Sequence, residues 1–175
     1  IVKDRVSGRN VICLQDVDAF TADRWYYPSG FDITQWHHIA ITWKGNSSSS
    51  VSTSCYINGR QITSKSSSIT WASAVATSTP LIFGYDWADH TIGGNINDIV
   101  FFNRQIYPNE IFDLMNKRSF INPVGYWPCD SDQGLNIVDS LEENNLTAYS
   151  GASFQSTSQS YTGTRQAIAS RQEAT

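Results

Sequence analysis

The chain has 175 residues, of which 40% are hydrophobic, 13% aromatic and only 16% charged, with a formal net charge of −4 at pH 7. This length fits one domain, alone or with a piece of another. It allows a substantial hydrophobic core that does not depend on disulfides or bound metals. The negative charge and the lack of a Lys/Arg cluster argue against a nucleic-acid partner, and no apolar run is long enough to span a membrane.

The first part of the chain contains one predicted strand and one aromatic-rich segment. Residues 11–17 (VICLQDV) are apolar enough to form the strand. Residues 23–27 (DRWYY) are interpreted as a loop, in which Trp25 and Tyr26 would form a platform for a sugar or an interface patch. Trp, Tyr and Arg are the usual anchors of such contacts.

The stretch QWHHIAITW (residues 35–43) predicts another strand. Its alternation puts Trp43 in line with His37 on one face, and Trp36 with His38 on the other. Large side chains on both faces indicate a central strand of a sandwich, covered on both sides. Because the two histidines point to opposite faces, they cannot chelate one metal ion together, and we expect both to serve packing.

Polar and turn residues divide the middle of the chain. Residues 44–54 (KGNSSSSVSTS) lack periodicity and are expected to form a loop. Residues 55–62 (CYINGRQI) predict a hairpin, because Asn-Gly favours a type I′ turn, which needs a positive φ at both positions. Residues 81–84 (LIFG) and 96–103 (INDIVFFN) predict two further strands.

One helix is predicted over residues 107–117. Pro108 suits the first helical position and Glu110 the third. An apolar stripe on one face is formed by Ile111, Leu114 and Met115.

The last part of the chain differs in character. Residues 122–128 (NPVGYWP) and 135–140 (LNIVDS) predict two more strands, whereas residues 151–175 are nearly uniformly polar and are expected to form a flexible tail or an intermolecular segment. The chain starts at Ile1 and its only methionine is Met115. We therefore expect it to be a processed or excised part of a longer protein.

The order of these motifs resembles a known family. The segments WHHIAITW, CYING, LIFG, GGNINDIVFFNRQI and EIFDL follow one another between Trp36 and Leu114. This order is similar to that of laminin-G-like domains, which belong to the concanavalin A-like lectin and glucanase jelly rolls. The resemblance implies an all-β fold, a two-sheet antiparallel jelly-roll sandwich with one short helix on the C-terminal side. Residues 1–121 would form the main part of this sandwich.

Residues 122–150 resemble the beginning of the same kind of domain. There GYWPCD precedes VDS and NNL, as the opening strands do in the family, but in ordinary members this opening comes before the WHH strand. Two explanations remain open. The domain is circularly permuted, or the chain is one repeat cut out of phase from a tandem array, so that residues 122–150 complete the sheet of a neighbouring copy.

The strongest candidate site is the segment GYDWADH over residues 84–90. It combines aromatic rings, carboxylates and an imidazole, from Tyr85, Asp86, Trp87, Asp89 and His90. Aromatic faces stack on sugar rings while Asp side chains accept from hydroxyls, and the two Asp side chains suit Ca²⁺, which prefers hard oxygen ligands. The alternative is an ordinary polar loop in which Trp87 packs on the sandwich.

No catalytic motif is recognisable in the sequence. Glycosidases related to this fold carry an E-x-D-x-E strand, and the chain has none. It also has no nucleophile elbow, phosphate loop or HExxH motif. We therefore do not expect an enzyme.

Cysteines and sequons indicate the setting of the protein. Cys13, Cys55 and Cys129 permit at most one internal disulfide, and none has the C-x-x-C spacing of a zinc site. N-x-S/T sequons begin at Asn46 and Asn145, and with the Ser/Thr-rich composition they favour glycosylation at an extracellular, cell-surface or particle-surface location.

The sequence thus predicts a non-enzymatic extracellular recognition or adhesion module that binds a glycan or an extracellular protein. Ca²⁺ is the cofactor that its candidate residues would suit. The alternative is a structural subunit of a repetitive surface assembly, such as a filament, an appendage or a particle coat, whose copies self-assemble by exchanging strands.

Overall fold

The computed structural model describes residues 2–3, 10–16, 21–45, 51–67, 83, 95–116, 122–129, 136–141 and 144–147. These residues divide into two compact units. The first unit consists of the described residues up to Ile96 together with Arg104–Asn116. The second unit consists of Asn97–Asn103 together with the described residues after 117.

The described residues contain eleven strands and one helix. In chain order they are β1 Val2–Lys3, β2 Asn10–Asp16, β3 Thr21–Tyr26, β4 Ile39–Gly45, β5 Val51–Ile57, β6 Arg60–Gln61, β7 Lys65–Ser67, β8 Ile99–Phe101, α1 Pro108–Met115, β9 Gly125–Trp127, β10 Asn136–Ile137 and β11 Leu146–Thr147.

The first sheet of the first unit has the strand order β1-β2-β3-β7, and all its pairs are antiparallel. β3 pairs with β2 over its whole length, from Tyr26 opposite Val11 to Thr21 opposite Asp16. The predicted strand over residues 11–17 is therefore confirmed as far as residue 16.

The second sheet has the strand order β4-β5-β6. β5 and β6 form a hairpin in which Ile57 lies opposite Arg60, so the connection has two residues. These residues, Asn58 and Gly59, have φ of 50° and 75°. The positive φ at both positions confirms the predicted type I′ turn.

The loop predicted over residues 44–54 is wrong. β4 runs to Gly45 and β5 begins at Val51, with these two residues paired. Backbone pairing between the two strands outweighs the Ser-rich composition. On one face of β4, Ile39 and Trp43 are each 39% exposed while Ile41 between them packs on the core, and Thr42 on the opposite face is buried.

Hydrophobic side chains from the two sheets meet in one core. Its buried members are Ile12, Trp25, Tyr27, Cys55, Ile57 and Ile62. Full burial of a large apolar side chain contributes about 1.5–3 kcal/mol, so this cluster is the main stabilising element of the first unit. Two antiparallel sheets facing each other, with a single helix among the described residues, confirm the predicted all-β jelly-roll sandwich.

The helix α1 begins as the sequence predicts. Tyr107 is the N-cap, Pro108 is the first helical residue, and the Tyr107 N–H donates to Glu110 Oε2 at 2.8 Å. Arg104 binds the other oxygen of the same carboxylate at 2.6 Å. Hydrogen bonds from Arg104 and Tyr107 lower the pKa of Glu110.

The helix packs on the turn of the β5–β6 hairpin. Ile111 is completely buried. Met115 Cε and Phe112 Cδ2 lie 3.7 and 3.8 Å from the position that a Cβ atom on Gly59 would occupy. Residues of the predicted apolar stripe on the helix thus pack within the first unit.

The second unit contains two short antiparallel pairs, β8 with β9 and β10 with β11. Ile99 lies opposite Trp127, and Phe101 lies opposite Gly125. These pairs confirm the strands predicted over residues 96–103, 122–128 and 135–140 in their central positions. β11 had not been predicted.

Some predictions fall outside the described residues. Of the strand predicted over residues 81–84 only Phe83 is described, and the polar segment 151–175 is not. No helix in the described part of the chain is both long and apolar enough to cross a membrane.

Candidate functional site

The segment predicted as the main ligand site lies outside the described residues. This applies to Tyr85, Asp86, Trp87, Asp89 and His90, and so also to the predicted Ca²⁺ ligands. Their roles stay predictions.

The second predicted platform, residues 23–27, is not a loop. It lies in β3 and the residue after it, and its alternate side chains Asp23, Trp25 and Tyr27 are buried. Trp25 is 1% exposed, so its ring has no open face for a ligand. Tyr26 lies on the opposite face, half-buried, and its hydroxyl contacts Ser66 Oγ at 3.3 Å. A binding role for Tyr26 stays a prediction.

A buried ion pair explains why Asp23 can face the core. Its carboxylate lies 2.7 Å from Lys65 Nζ and also accepts a hydrogen bond from Thr53 Oγ1. Lys65 Nζ donates to Thr53 Oγ1 at 2.6 Å and lies 5.2 Å from the centroid of the Trp25 ring. A carboxylate that is 1% exposed requires such partners, because an uncompensated buried charge is strongly destabilising. This cluster therefore compensates the burial of the Asp23 charge in the sandwich.

His37 is held between two elements of the first unit. Its Nε2 donates to the backbone carbonyl of Asp32 at 2.7 Å, and its Nδ1 accepts from Asn58 Nδ2 at 3.0 Å. Both ring nitrogens are thus occupied, which fixes the orientation of the ring. The ring also packs on Phe31, with centroids 4.1 Å apart. These contacts support the structural role expected for His37.

Asn58 connects the β5–β6 turn to the segment before β4. Its Oδ1 accepts from the His38 N–H at 3.0 Å, and its own N–H donates to the His38 carbonyl at 2.9 Å. With the bond to His37, one side chain satisfies groups on both histidines. The two histidines lie just before β4, not within it.

The residues between β3 and β4 form what we call the Trp36 loop, residues 27–38. Stacked rings line its base: Tyr27 lies 4.4 Å from Phe31, which in turn packs on His37. Asp32 Oδ1 accepts from the Thr34 N–H at 2.9 Å and from its hydroxyl at 2.6 Å. These two bonds hold the pKa of the Asp32 carboxyl below its usual value. The loop is therefore closely held at its base and in its turn.

Large apolar side chains at the tip of this loop are exposed. Ile33 is 50% exposed and Trp36 is 48% exposed. The sequence interpretation had placed Trp36 on a covered strand, and this placement is wrong because strand pairing begins only at Ile39. The Asp-x-Thr spacing of the turn was the available signal for a loop here.

Burial changes the ionisation of side chains near the core. The pKa of His38 is lowered by burial, and its Nδ1 has no hydrogen-bond partner among the described residues. Burial raises the pKa of Cys55 to about 12 and also raises the pKa of Tyr27, with a smaller effect of Cys55 on that tyrosine. The Cys55 thiol is thus protonated near neutral pH, and none of the chain's three cysteines forms a disulfide in the structure.

In the second unit, Asp139 organises the backbone. It is completely buried, and its carboxylate accepts from the N–H groups of Tyr126, Leu141 and Asn144 at 2.9 to 3.1 Å. Its own N–H donates to Asn145 Oδ1 at 3.1 Å. This side chain therefore ties β9 to the turn that joins β10 and β11.

Carboxylates of the described residues do not gather into a metal centre. In that part of the chain, no group of three or more His, Cys, Asp or Glu side chains is placed to hold a metal ion. Asp98, which has a φ of 54°, accepts from the Tyr126 hydroxyl at 2.9 Å. This bond connects Asp98 to the neighbouring strand β9.

Comparison with known proteins identifies the family. A laminin G family model, described as the concanavalin A-like lectin/glucanases superfamily, matches residues 7–112, which is more than half of the chain. No curated protein and no solved structure matches the chain significantly. Since the match covers more than half of the chain, including β2 to β7 of the sandwich and most of the helix, the chain belongs to the concanavalin A-like lectin/glucanases superfamily.

Proposed function

We propose that the chain is a non-enzymatic extracellular recognition module that binds carbohydrate. The superfamily supports a carbohydrate- or protein-binding module, and it includes lectins, which bind glycans, as well as glucanases, which cleave them. The observation that carries the proposal is the family match over residues 7–112 on a two-sheet sandwich.

Three of the described carboxylates are committed to the fold, which favours binding over hydrolysis at these positions. A glycosidase needs two carboxyl groups that flank the scissile bond. Asp23 is committed to Lys65, Asp139 to three backbone N–H groups, and Glu110 to Arg104 and the start of the helix. Carboxylates that serve the fold in this way are not available as general acid or nucleophile.

The proposed ligand residues are those that combine rings and carboxylates near residues 84–90, together with Tyr26 on the outer face of β3. They are Tyr85, Asp86, Trp87, Asp89 and His90, with Asp86 and Asp89 as Ca²⁺ ligands. A glycan array probed with the whole chain in CaCl₂ and in EDTA tests this proposal.

We expect wild-type chain to bind a defined subset of glycans, and Trp87→Ala to weaken the signal. A Ca²⁺ site predicts further loss in EDTA. The folded chain binding no arrayed glycan would overturn the carbohydrate function, and release of reducing ends from a bound polysaccharide would overturn the non-enzymatic role.

An extracellular setting is part of the proposal, with N-linked glycans on Asn46 and Asn145. Asn46 lies outside the described residues, whereas Asn145 is exposed and uses its Oδ1, not its Nδ2, in the bond to Asp139. The nitrogen that would carry the glycan is therefore not needed by that contact. Thr147→Ala removes the sequon but keeps this hydrogen bond. Glycosidase-sensitive mass on the secreted wild type, lost in part in Thr147→Ala, is the expected result; no sensitive mass would contradict it.

The alternative is a structural subunit whose copies exchange strands. The observation in its favour is the register of β8 with β9, because residues 122–150 resemble opening strands of the domain and here complete a pair with Ile99–Phe101. Exchange between copies would preserve the same pairing. Electron microscopy of native material tests it: regular filaments or particles would favour the subunit, and dispersed domains would exclude it.

A further inference from the structure

The tip of the Trp36 loop offers an apolar surface to solvent. Ile33 and Trp36 lie three positions apart across the turn and are each about half exposed, at 50% and 48%. Neither side chain belongs to the hydrophobic core cluster of the described residues.

The surface is preorganised. Two hydrogen bonds from Thr34 to Asp32 close the turn. The Asp32 carbonyl accepts a hydrogen bond from His37 Nε2, and Asn58 Nδ2 donates to the Nδ1 of the same ring. A loop already fixed by internal hydrogen bonds loses little conformational entropy when a ligand binds. Most of the free energy gained from contacts at its tip therefore contributes to affinity. Rigid, exposed aromatic side chains on such loops are the usual anchors of recognition.

The chemistry around the tip favours an uncharged sugar ring. An indole face and an isoleucine suit the apolar face of a pyranose, while the indole N–H and the neutral side chains of Thr34 and Gln35 suit its hydroxyls. The nearest carboxylate, Asp32, and the net charge of −4 disfavour sialylated or sulfated glycans.

A protein partner fits this surface less well. A stable protein interface buries about 800 Å² on each partner, with about 20–30 residues a side. The Trp36 loop itself contributes two large exposed apolar side chains, Ile33 and Trp36, which is the scale of one or two sugar rings.

We infer that the Trp36 loop is a saccharide-binding site, in which Trp36 stacks on the ring of a neutral sugar and Ile33 covers its edge. This inference rests on the proposed carbohydrate-binding function, and it places that function at residues other than Tyr85 to His90. Asn58 and His37 act on it only as positioning residues, through the shape of the loop.

The experiment compares four forms of the whole chain on an array of neutral, sialylated and sulfated oligosaccharides. They are wild type, Trp36→Ala, Trp36→Tyr and the control Trp43→Ala, which removes a tryptophan of similar exposure (39%) from β4. The strongest arrayed neutral oligosaccharide is then titrated calorimetrically, and thermal melts establish that each variant is folded.

We expect wild type to bind neutral oligosaccharides, and Trp36→Ala to raise Kd at least about tenfold, the equivalent of about 1.4 kcal/mol. Trp36→Tyr, which keeps an aromatic face, should stay within about threefold of wild type, and Trp43→Ala should match wild type.

The failures are distinguishable. Wild-type binding that Trp36→Ala leaves unchanged would overturn the Trp36 site while the recognition function stands. Binding confined to sialylated or sulfated glycans would overturn the proposed ligand class. A folded wild type that binds no glycan would overturn the carbohydrate function, and the site with it.

Discussion

Replacement of Lys65 by methionine should destabilise the sandwich more than replacement of its partner Asp23 by asparagine. The side chains differ in burial: Lys65 is 23% exposed and Asp23 is 1% exposed. Lys65→Met keeps most of the aliphatic stem but leaves a carboxylate in the core without its counter-charge. Asp23→Asn keeps an acceptor for Thr53, and the Lys65 amine can turn towards water.

The magnitudes follow from that asymmetry. Removing one partner of a fully buried ion pair costs about 3–5 kcal/mol. Because Lys65 is partly exposed, water can approach the remaining Asp23 carboxylate, so we expect Lys65→Met to cost about 2–4 kcal/mol. Asp23→Asn loses the charge assistance of its hydrogen bonds, at about 1–2 kcal/mol. The double variant should cost clearly less than the sum, because asparagine no longer needs the ammonium group.

Urea unfolding followed by tryptophan fluorescence measures these free energies, with an unchanged m-value showing that the unfolding reaction is the same. Lys44→Met, at an exposed position on β4, is the control and should lie within about 0.5 kcal/mol of wild type. If Lys65→Met costs less than Asp23→Asn, or if the two changes add without coupling, the burial argument is refuted.

Three further predictions concern the turn, the second unit and pH. Asn58→Gly keeps a positive φ but loses the side-chain bonds to His37 and His38, so unfolding free energy should fall by about 1–2 kcal/mol. Asn58→Ala should lose about 1–2 kcal/mol more from backbone strain, and equal urea stabilities of the two variants would contradict this. Gly125→Ala puts a Cβ against the Trp127 ring, closest to Cη2 and 2.7 Å from Cζ2, and should cost about 1–3 kcal/mol, seen as faster amide exchange in β9; wild-type exchange would disprove the overlap. The folded pKa of His38 lies below its ordinary 6.5, so its contribution is full above that pH and is lost as pH falls below it. His38→Gln should flatten the decline of urea stability between about pH 7 and 5, and an unchanged slope would rule out His38 as its source.

Elements set by local chemistry were predictable from the sequence, and elements set by distant partners were not. Asn58 and Gly59 define their turn through φ alone, and Pro108 with Glu110 define the start of the helix. β3 was misinterpreted as a loop because Asp23 interrupts its apolar alternation. The Lys65 side chain, which compensates the buried charge of Asp23, comes from β7. The sequence around Asp23 does not indicate this partner.

The same distinction applies to the candidate sites. The alternation of β4 was extended backwards to Trp36, although the Asp32 turn already indicated a loop. The exposure of Trp36 depends on where β4 starts to pair and on the place of that strand at the edge of its described sheet. Both are properties of the assembled sheet and cannot be read from residues 35–43.

The two histidines connect the family resemblance to the proposed sugar site. They belong to the WHH motif, and Asn58, which holds them, belongs to the YING hairpin, so the two motifs form one hydrogen-bonded unit. Trp36 is the first residue of the same WHH motif, but the hydrogen bonds that fix the base of the Trp36 loop are made by the histidines and Asn58. Substitutions at Ile33 or Trp36 are therefore expected to keep these bonds, whereas substitutions at His37 or Asn58 break them. A recognition module benefits from this separation, since contacts with a ligand can then change at little cost in stability.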